Sequence, residues 1–161
     1  MTRPVALPLP LPEWRFGAPC EADFEALLAI RIDVMREHLE RVFRYSPQRA
    51  RGYFREAFDE PGLRTILIGE ELAGCVAFRR GEEAVQIDSF YLARPLHNRG
   101  LGAAILKVLL TEADALKKPV RLGVLHGSRA DRFYERHGFV KVSEDDIERY
   151  YERPVANRGA A

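Results

Sequence analysis

Apolar residues recur at two different periods along this chain, and the switches between them divide it into helices and strands. Between Glu21 and about Glu40, Phe24, Leu27, Leu28, Val34 and Met35 fall at helical spacing. Glu21 and Asp23 stand in the first turn, where the helix dipole favours acids. A second helix is predicted from about Pro47 to just before Pro61-Gly62. A short strand covers Trp14 to Phe16, and β-rich runs cover Leu63 to Gly69, Leu72 to Arg80 and Ala84 to Leu92. The last three are separated only by short polar links, which predicts antiparallel neighbours. A third helix runs from Leu101 to about Leu116, with Leu101, Ile105, Val108, Leu109 and Leu116 as its apolar set. Further strands follow at Pro119 to Leu125, Phe139 to Val142 and Ile147 to Arg153, with a helix from about Arg129 to His137 between the first two. Ser128 and Asp131 are spaced as a capping pair for that helix, and Gly138 is placed to end it.

Strands first, then strand-helix-strand-helix-strand, predict an α/β (α+β) domain. Its sheet is mixed, mainly antiparallel, of about seven strands, flanked by about four helices. With 161 residues, 47% of them hydrophobic, the chain can bury one core, assigned to residues 13–154. Four prolines in the first twelve residues mark 1–12 as an extended tail, and 155–161 as a C-terminal one. No apolar run approaches the roughly 18 residues of a membrane span, and a net charge of +1 gives no global attraction to nucleic acid. Cys20 and Cys75 are too few for a disulfide framework, so a reducing cytoplasm is the simplest setting. The four histidines have no partners at ligand spacing, so no metal is expected. No Gly-x-Ser-x-Gly elbow is present, which disfavours hydrolase chemistry.

The joint between the Ala84 to Leu92 strand and the third helix reads His97-Asn98-Arg99-Gly100-Leu101-Gly102. Unpaired N–H groups at a helix start, with no Cβ in the way, suit a diphosphate. Ile105 stands where a dinucleotide fingerprint needs its third glycine, and no P-loop Gly-Lys-Ser/Thr occurs. A second segment runs from Gly127 to Phe139, GSRADRFYERHGF. Together the two resemble the GNAT superfamily of N-acetyltransferases. That family uses Arg/Gln-x-x-Gly-x-Gly/Ala for the pyrophosphate of acetyl-CoA and Asn-x-x-Ala-x-x-Phe-Tyr-x-x-x-Gly-Phe beside the thioester. His97 and Gly127 depart from these patterns. The resemblance spans about Trp14 to Arg153. It implies a GNAT fold in which the fourth and fifth strands splay apart, with the main chain of Phe90, Tyr91 and Leu92 facing the pantetheine. It also implies a pyrophosphate loop of His97, Asn98, Arg99, Gly100, Leu101, Gly102 and Ala103, and a wall containing Ala130 and Phe133.

Amide formation needs a neutral amine, yet an amine of pKa about 10.4 is neutral only about one part in 2,500 at pH 7, roughly 4.6 kcal/mol. A base or water relay must take that proton. Alternation puts Gln86, Asp88 and Phe90 on one face, and Asp88 is the titratable member, at a position where the family often carries its base. An aspartate near a strand end also serves as a partner for backbone or arginine, and both readings stay open. Tyr134 matches the family tyrosine beside the cofactor sulfur and is the candidate acid; as an alternative it packs beside Phe133. His126 either lines the thioester site or makes a strand-end hydrogen bond. Arg41, Arg44, Arg49, Arg51 and Arg55, interleaved with Phe43, Tyr45, Tyr53 and Phe54, form either a solvated helix face or an acceptor groove for carboxylate- or phosphate-bearing substrates. The acidic run Glu144, Asp145, Asp146, Glu148 reads as a solvated loop. The resemblance therefore implies an acetyl-CoA-dependent N-acetyltransferase acting on a primary amine of a small molecule or peptide. Its rival is a non-catalytic acyl-CoA-binding or sensor protein on the same fold. A homodimer is compatible with the resemblance.

Overall fold

The computed structural model describes residues 10–42 and 46–156. Phe43, Arg44, Tyr45 and most of both predicted tails lie outside them. Within them, seven strands form one sheet: β1 (Arg15–Gly17), β2 (Leu63–Ile68), β3 (Glu71–Arg80), β4 (Val85–Leu92), β5 (Val120–Leu125), β6 (Val140–Glu144) and β7 (Glu148–Arg153). Four helices accompany it: α1 (Phe24–Val42), α2 (Pro47–Asp59), α3 (Leu101–Ala115) and α4 (Ala130–Glu135). The strand order is β1-β2-β3-β4-β5-β7-β6, antiparallel except at β4–β5. The predicted mixed sheet is present, and every predicted helix and strand of the described residues appears within a few positions of its expected ends.

Each face of the sheet carries its own apolar layer. On one face α3 buries Leu101, Ile105, Leu106, Leu109, Leu110 and Ala113 against Val76, Phe78, Val85, Ile87, Val120 and Leu122. On the other, Phe24, Leu27 and Leu28 of α1 meet Phe54 and Phe58 of α2 over Cys75 and Ala77. The Phe24 ring stacks on Phe54 at 5.5 Å and meets Phe58 edge-on at 5.3 Å. Truncating any of the large side chains here to alanine would cost about 2–5 kcal/mol. The α3 stripe differs from expectation at Val108, which is 45% exposed. The buried arc is instead centred on the 101-105-109-113 row and its neighbours Leu106 and Leu110, and Val108 falls outside it.

Helix starts follow local chemistry. Ser46 caps α2, its Oγ accepting from Arg49 N at 3.4 Å, with Pro47 in the first turn. At α4, Ser128 Oγ accepts from Ala130 N at 3.2 Å. The expected return bond from Asp131 is replaced, because its carboxylate takes the Arg149 guanidinium at 3.0 Å and the Tyr151 hydroxyl at 2.5 Å. Asp131 thereby ties α4 to β7. Arg153 and Asp114 do the same for α3, with bonds of 2.8 and 3.1 Å and both side chains mostly buried.

Candidate active site

β4 and β5 pair only at Val85↔Val120 and Gln86↔Arg121, then diverge. The divergence starts where β4 bulges. Between the pairs Ala77↔Asp88 and Cys75↔Tyr91, β3 spends one residue and β4 spends two. Ser89 absorbs the extra residue with φ +50°. The buried Cys75 thiol donates to Ser89 O at 3.3 Å, holding the bulge from beneath. Strict alternation therefore fails at this point, which corrects the expected shared face of Gln86, Asp88 and Phe90. Asp88 faces the α1/α2 side with Arg79, whereas Phe90 packs with Leu92 into the α3 layer and Tyr91 takes the α1/α2 side. An inserted residue exchanges the faces of everything after it.

A cleft of about 540 Å³ opens at this split. Its strand walls are Ile87 to Tyr91 of β4 and Leu122 to Leu125 of β5, and α1, α2 and the start of β7 close its outer end. Tyr134 of α4 lines it. The tyrosine ring is fixed by edge contacts to Phe133 at 5.1 Å and Phe139 at 5.5 Å. Among the described residues no hydrogen bond engages its hydroxyl. Burial first, and the neighbouring Tyr91 second, push that hydroxyl well above the ordinary phenol range, so it stays protonated at neutral pH.

Asp88 also lines the cleft, but its oxygens are engaged. Arg79 donates to them at 2.9 and 3.2 Å and Ser89 Oγ at 3.0 Å. The same guanidinium bonds the carbonyls of Ala57, Glu60 and Pro61, so Arg79 and Asp88 join the end of α2 to the β4 bulge. Of the two readings of Asp88, the arginine partner is the one the geometry displays. Another carboxylate faces the cleft, that of Glu148, lying over Gly123 so that a Cβ there would meet its Oε2 at 3.1 Å. Among the described residues no arginine or lysine forms an ion pair with Glu148.

Two cations complete the outer end, Arg31 of α1 and Arg49 of α2. Arg31 donates to the Tyr91 hydroxyl at 3.4 Å and to Ala50 O at 3.5 Å, both long contacts. The arginine-rich segment thus divides. Arg51 is held by Glu25 at 3.1 Å and Arg55 by Glu21 at 2.8 Å and Asp59 at 3.0 Å, while Arg49 is left to the cleft. The acidic run divides as well. Asp145 builds the β6–β7 turn, accepting from Ile147 N at 2.8 Å, Glu148 N at 2.7 Å and Tyr150 hydroxyl at 2.6 Å, and Glu148 points inward. Sequence reasoning missed Arg31 and Glu148. Arg31 left a signal: it sits four after Leu27 and three after Leu28, a cation on the buried stripe of α1.

Beyond β4, His97 turns back on the strand, its Nε2 bonded to Leu92 O at 2.6 Å. Its ring fixes the loop and takes up a Leu92 carbonyl that the resemblance assigned to the pantetheine. Asn98 at φ +59° and Gly100 at φ +83° then bend the chain into α3. The first helical bond runs from Ala104 N to Gly100 O at 3.1 Å, so the N–H groups of Leu101, Gly102 and Ala103 have no partner within the helix. Among the described residues a Cβ at Gly100 would meet only Leu11, at 3.8 Å, and one at Gly102 only ordinary contacts with Phe133 and Leu92 at 3.7 and 3.8 Å. The need at Gly100 is therefore for positive φ, and alanine fits at 102. His126 makes the strand-end bond, from Nε2 to Asp145 O at 2.7 Å.

An open mixed sheet, split between its fourth and fifth strands above a glycine-led helix start, is the frame of acyl-CoA transferases. Solved structures share it. A PaiA N-acetyltransferase from Thermoplasma acidophilum, in complex with coenzyme A, superposes with TM-score 0.71 at 14% identity, over 88% of this chain and 99% of that one. An acetyltransferase from Thermus thermophilus gives 0.70 at 16% identity over 88% and 96%, and an acyl-CoA N-acyltransferase from Pseudomonas aeruginosa 0.64 at 19% over 89% and 99%. No curated protein sequence matches the chain. Residues 31–151 match the sequence model of the acetyltransferase (GNAT) domain, and the chain belongs to that family.

Proposed function

We propose that this protein is an N-acetyltransferase that moves an acetyl group from acetyl-CoA to a primary amine held at the outer end of the cleft. When bound, acetyl-CoA supplies an activated thioester, at which the amine nitrogen forms the new bond as the carbon–sulfur bond breaks. The chain's residues fit that ligand: the N–H groups of Leu101, Gly102 and Ala103 have no partner within α3 and follow a left-handed turn at Gly100, and the split sheet leaves β4 backbone beyond Gln86 unpaired with β5. The observation that carries the reading is the Tyr134 hydroxyl. Its ring is locked between two phenylalanines, its proton is retained at neutral pH, and it faces the cleft without a partner among the described residues.

Tyr134 holds its proton at Oη and donates toward the departing sulfur. Full transfer from a phenol of ordinary pKa about 10 to a thiolate of about 8.5 is uphill by about 2 kcal/mol, and the raised value here makes it steeper. Stabilisation by a hydrogen bond is therefore its contribution. The acceptor's ammonium gives up one proton to bulk water to become the attacking amine, and the second, lost as the amide forms, goes by way of water to Glu148, the cleft carboxylate that no arginine neutralises among the described residues. Asp88 acts as a positioning residue that keeps the bulge and α2 in register through Arg79.

Acetyl-CoA-dependent thiol release with a panel of amines tests the proposal. Tyr134→Phe is expected to lower kcat about 10²-fold with acetyl-CoA affinity unchanged. Unchanged kcat removes Tyr134 from the mechanism, and tight acetyl-CoA binding without turnover of any amine supports a non-catalytic acyl-CoA-binding protein instead.

A further inference from the structure

The outer end of the cleft is cationic, and the surrounding structure leaves that charge unspent. Many arginines of the described residues meet carboxylates, among them Arg51 with Glu25, Arg55 with Glu21 and Asp59, Arg64 with Glu112, Arg79 with Asp88 and Arg149 with Asp131; Arg15, Arg41, Arg99, Arg129, Arg132 and Arg136 do not, but they lie outside the cleft lining. Within that lining, Arg31 and Arg49 have no such partner among the described residues. Arg31 is half-buried on the apolar stripe of α1, where an uncompensated guanidinium is costly. It carries five donors and uses two of them in contacts of 3.4 and 3.5 Å. The carboxylates that face the same space do not neutralise it. Asp88 is taken by Arg79, and Glu148 stands on β7 across Gly123.

Position makes this charge specific. Tyr134 and Tyr91 sense each other electrostatically, the Tyr91 hydroxyl accepts from Arg31, and Arg31 reaches the Ala50 carbonyl, next in sequence to Arg49. Arg31, Arg49, Tyr91 and Tyr134 all line the same cleft. An anion seated on Arg31 would share the cleft with Tyr134. Met35, Tyr53 and Ile147 give the same end an apolar side.

We infer that the acceptor is an aminocarboxylate, a free amino acid whose carboxylate is held by Arg31 and Arg49 while its side chain lies against Met35, Tyr53 and Ile147. This rests on the acetyltransferase reading above. It excludes polyamines and other cationic acceptors, which these arginines repel. A guanidinium–carboxylate pair is charge-assisted and, at Arg31, half-buried, so its loss carries a measurable penalty.

The experiment compares free amino acids, their methyl esters and spermidine as acceptors in thiol release, alongside calorimetric titration of acetyl-CoA. Free amino acids are expected to exceed their esters about 10- to 100-fold in kcat/KM. Arg31→Gln and the exposed variant Arg49→Gln should each raise the amino-acid KM with acetyl-CoA affinity unchanged, and Arg31→Lys should recover part of the loss. Equal or better turnover of esters or spermidine, with KM indifferent to both glutamine variants, overturns the aminocarboxylate assignment alone. Failure of acetyl-CoA to bind overturns the acetyltransferase reading and this inference with it.

Discussion

Replacing Gly74 with alanine would place a Cβ 1.9 Å from the carbonyl oxygen of Tyr91 and 2.9 Å from its carbon. Unstrained contacts of this kind lie near roughly 3.5 Å, so β3 and β4 would have to part by more than about 1 Å beside the bulge. The pairs at risk are Gly74↔Leu92 and Cys75↔Tyr91. Two ladder bonds at about 1 kcal/mol each, with about 1–3 kcal/mol for overpacking, give a loss of about 3–5 kcal/mol. At this size that corresponds to a fall in Tm of roughly 10 °C. Thermal unfolding followed by circular dichroism measures it. Since the same segment forms the wall of the split, acetyl-CoA titration of the folded variant should show weakened binding. A Tm within about 2 °C of the parent would refute the reasoning, because the strands would then have absorbed the methyl group without parting.

Further predictions separate the carboxylates of the site and its turn. Asp88→Asn should lower stability by about 1–3 kcal/mol, seen in urea unfolding, and leave the shape of the pH–rate profile intact, since its work is to hold Arg79. Glu148→Gln should do the reverse, lowering kcat while Tm stays the same. At the β6–β7 turn the Tyr150 hydroxyl, followed by the Glu148 and Ile147 amides, holds Asp145 down to about 2. Because the folded value lies below the unfolded one of about 3.9, this contribution is present above that pH and is lost as pH falls toward 2. Asp145→Ala should therefore be less stable at neutral pH and show a shallower loss on acidification, measured by unfolding at a series of pH values.

The elements of this fold are legible in the chain because most of its patterns are locally consistent. Leu101, Ile105 and Leu109 mark the buried face of α3, Ser46-Pro47 starts α2, and short polar links keep β2, β3 and β4 antiparallel. The glycine loop and the Phe133-Tyr134 pair are equally readable, as fixed spacings. What escapes is set by tertiary geometry. A single residue inserted at Ser89 exchanges the faces of Phe90 and Tyr91, and strict alternation carries no sign of it. In sequence Glu148 is one more acid in a solvated run, and only the turn built by Asp145 aims it inward. Arg51 and Arg55 look as available as Arg49, because their partners Glu25 and Glu21 lie some thirty residues away on another element.

Calorimetric titration of the purified protein with acetyl-CoA, and separately with NAD, tests the central claim most directly. The account predicts binding of acetyl-CoA at roughly micromolar Kd and none of NAD, because the α3 start accepts a diphosphate while the third glycine of a dinucleotide fold is absent. No acetyl-CoA binding would mean that His97, tied back to Leu92, and Gly127 have cost the cleft its donor, and would contradict the assignment of acetyl transfer to this protein.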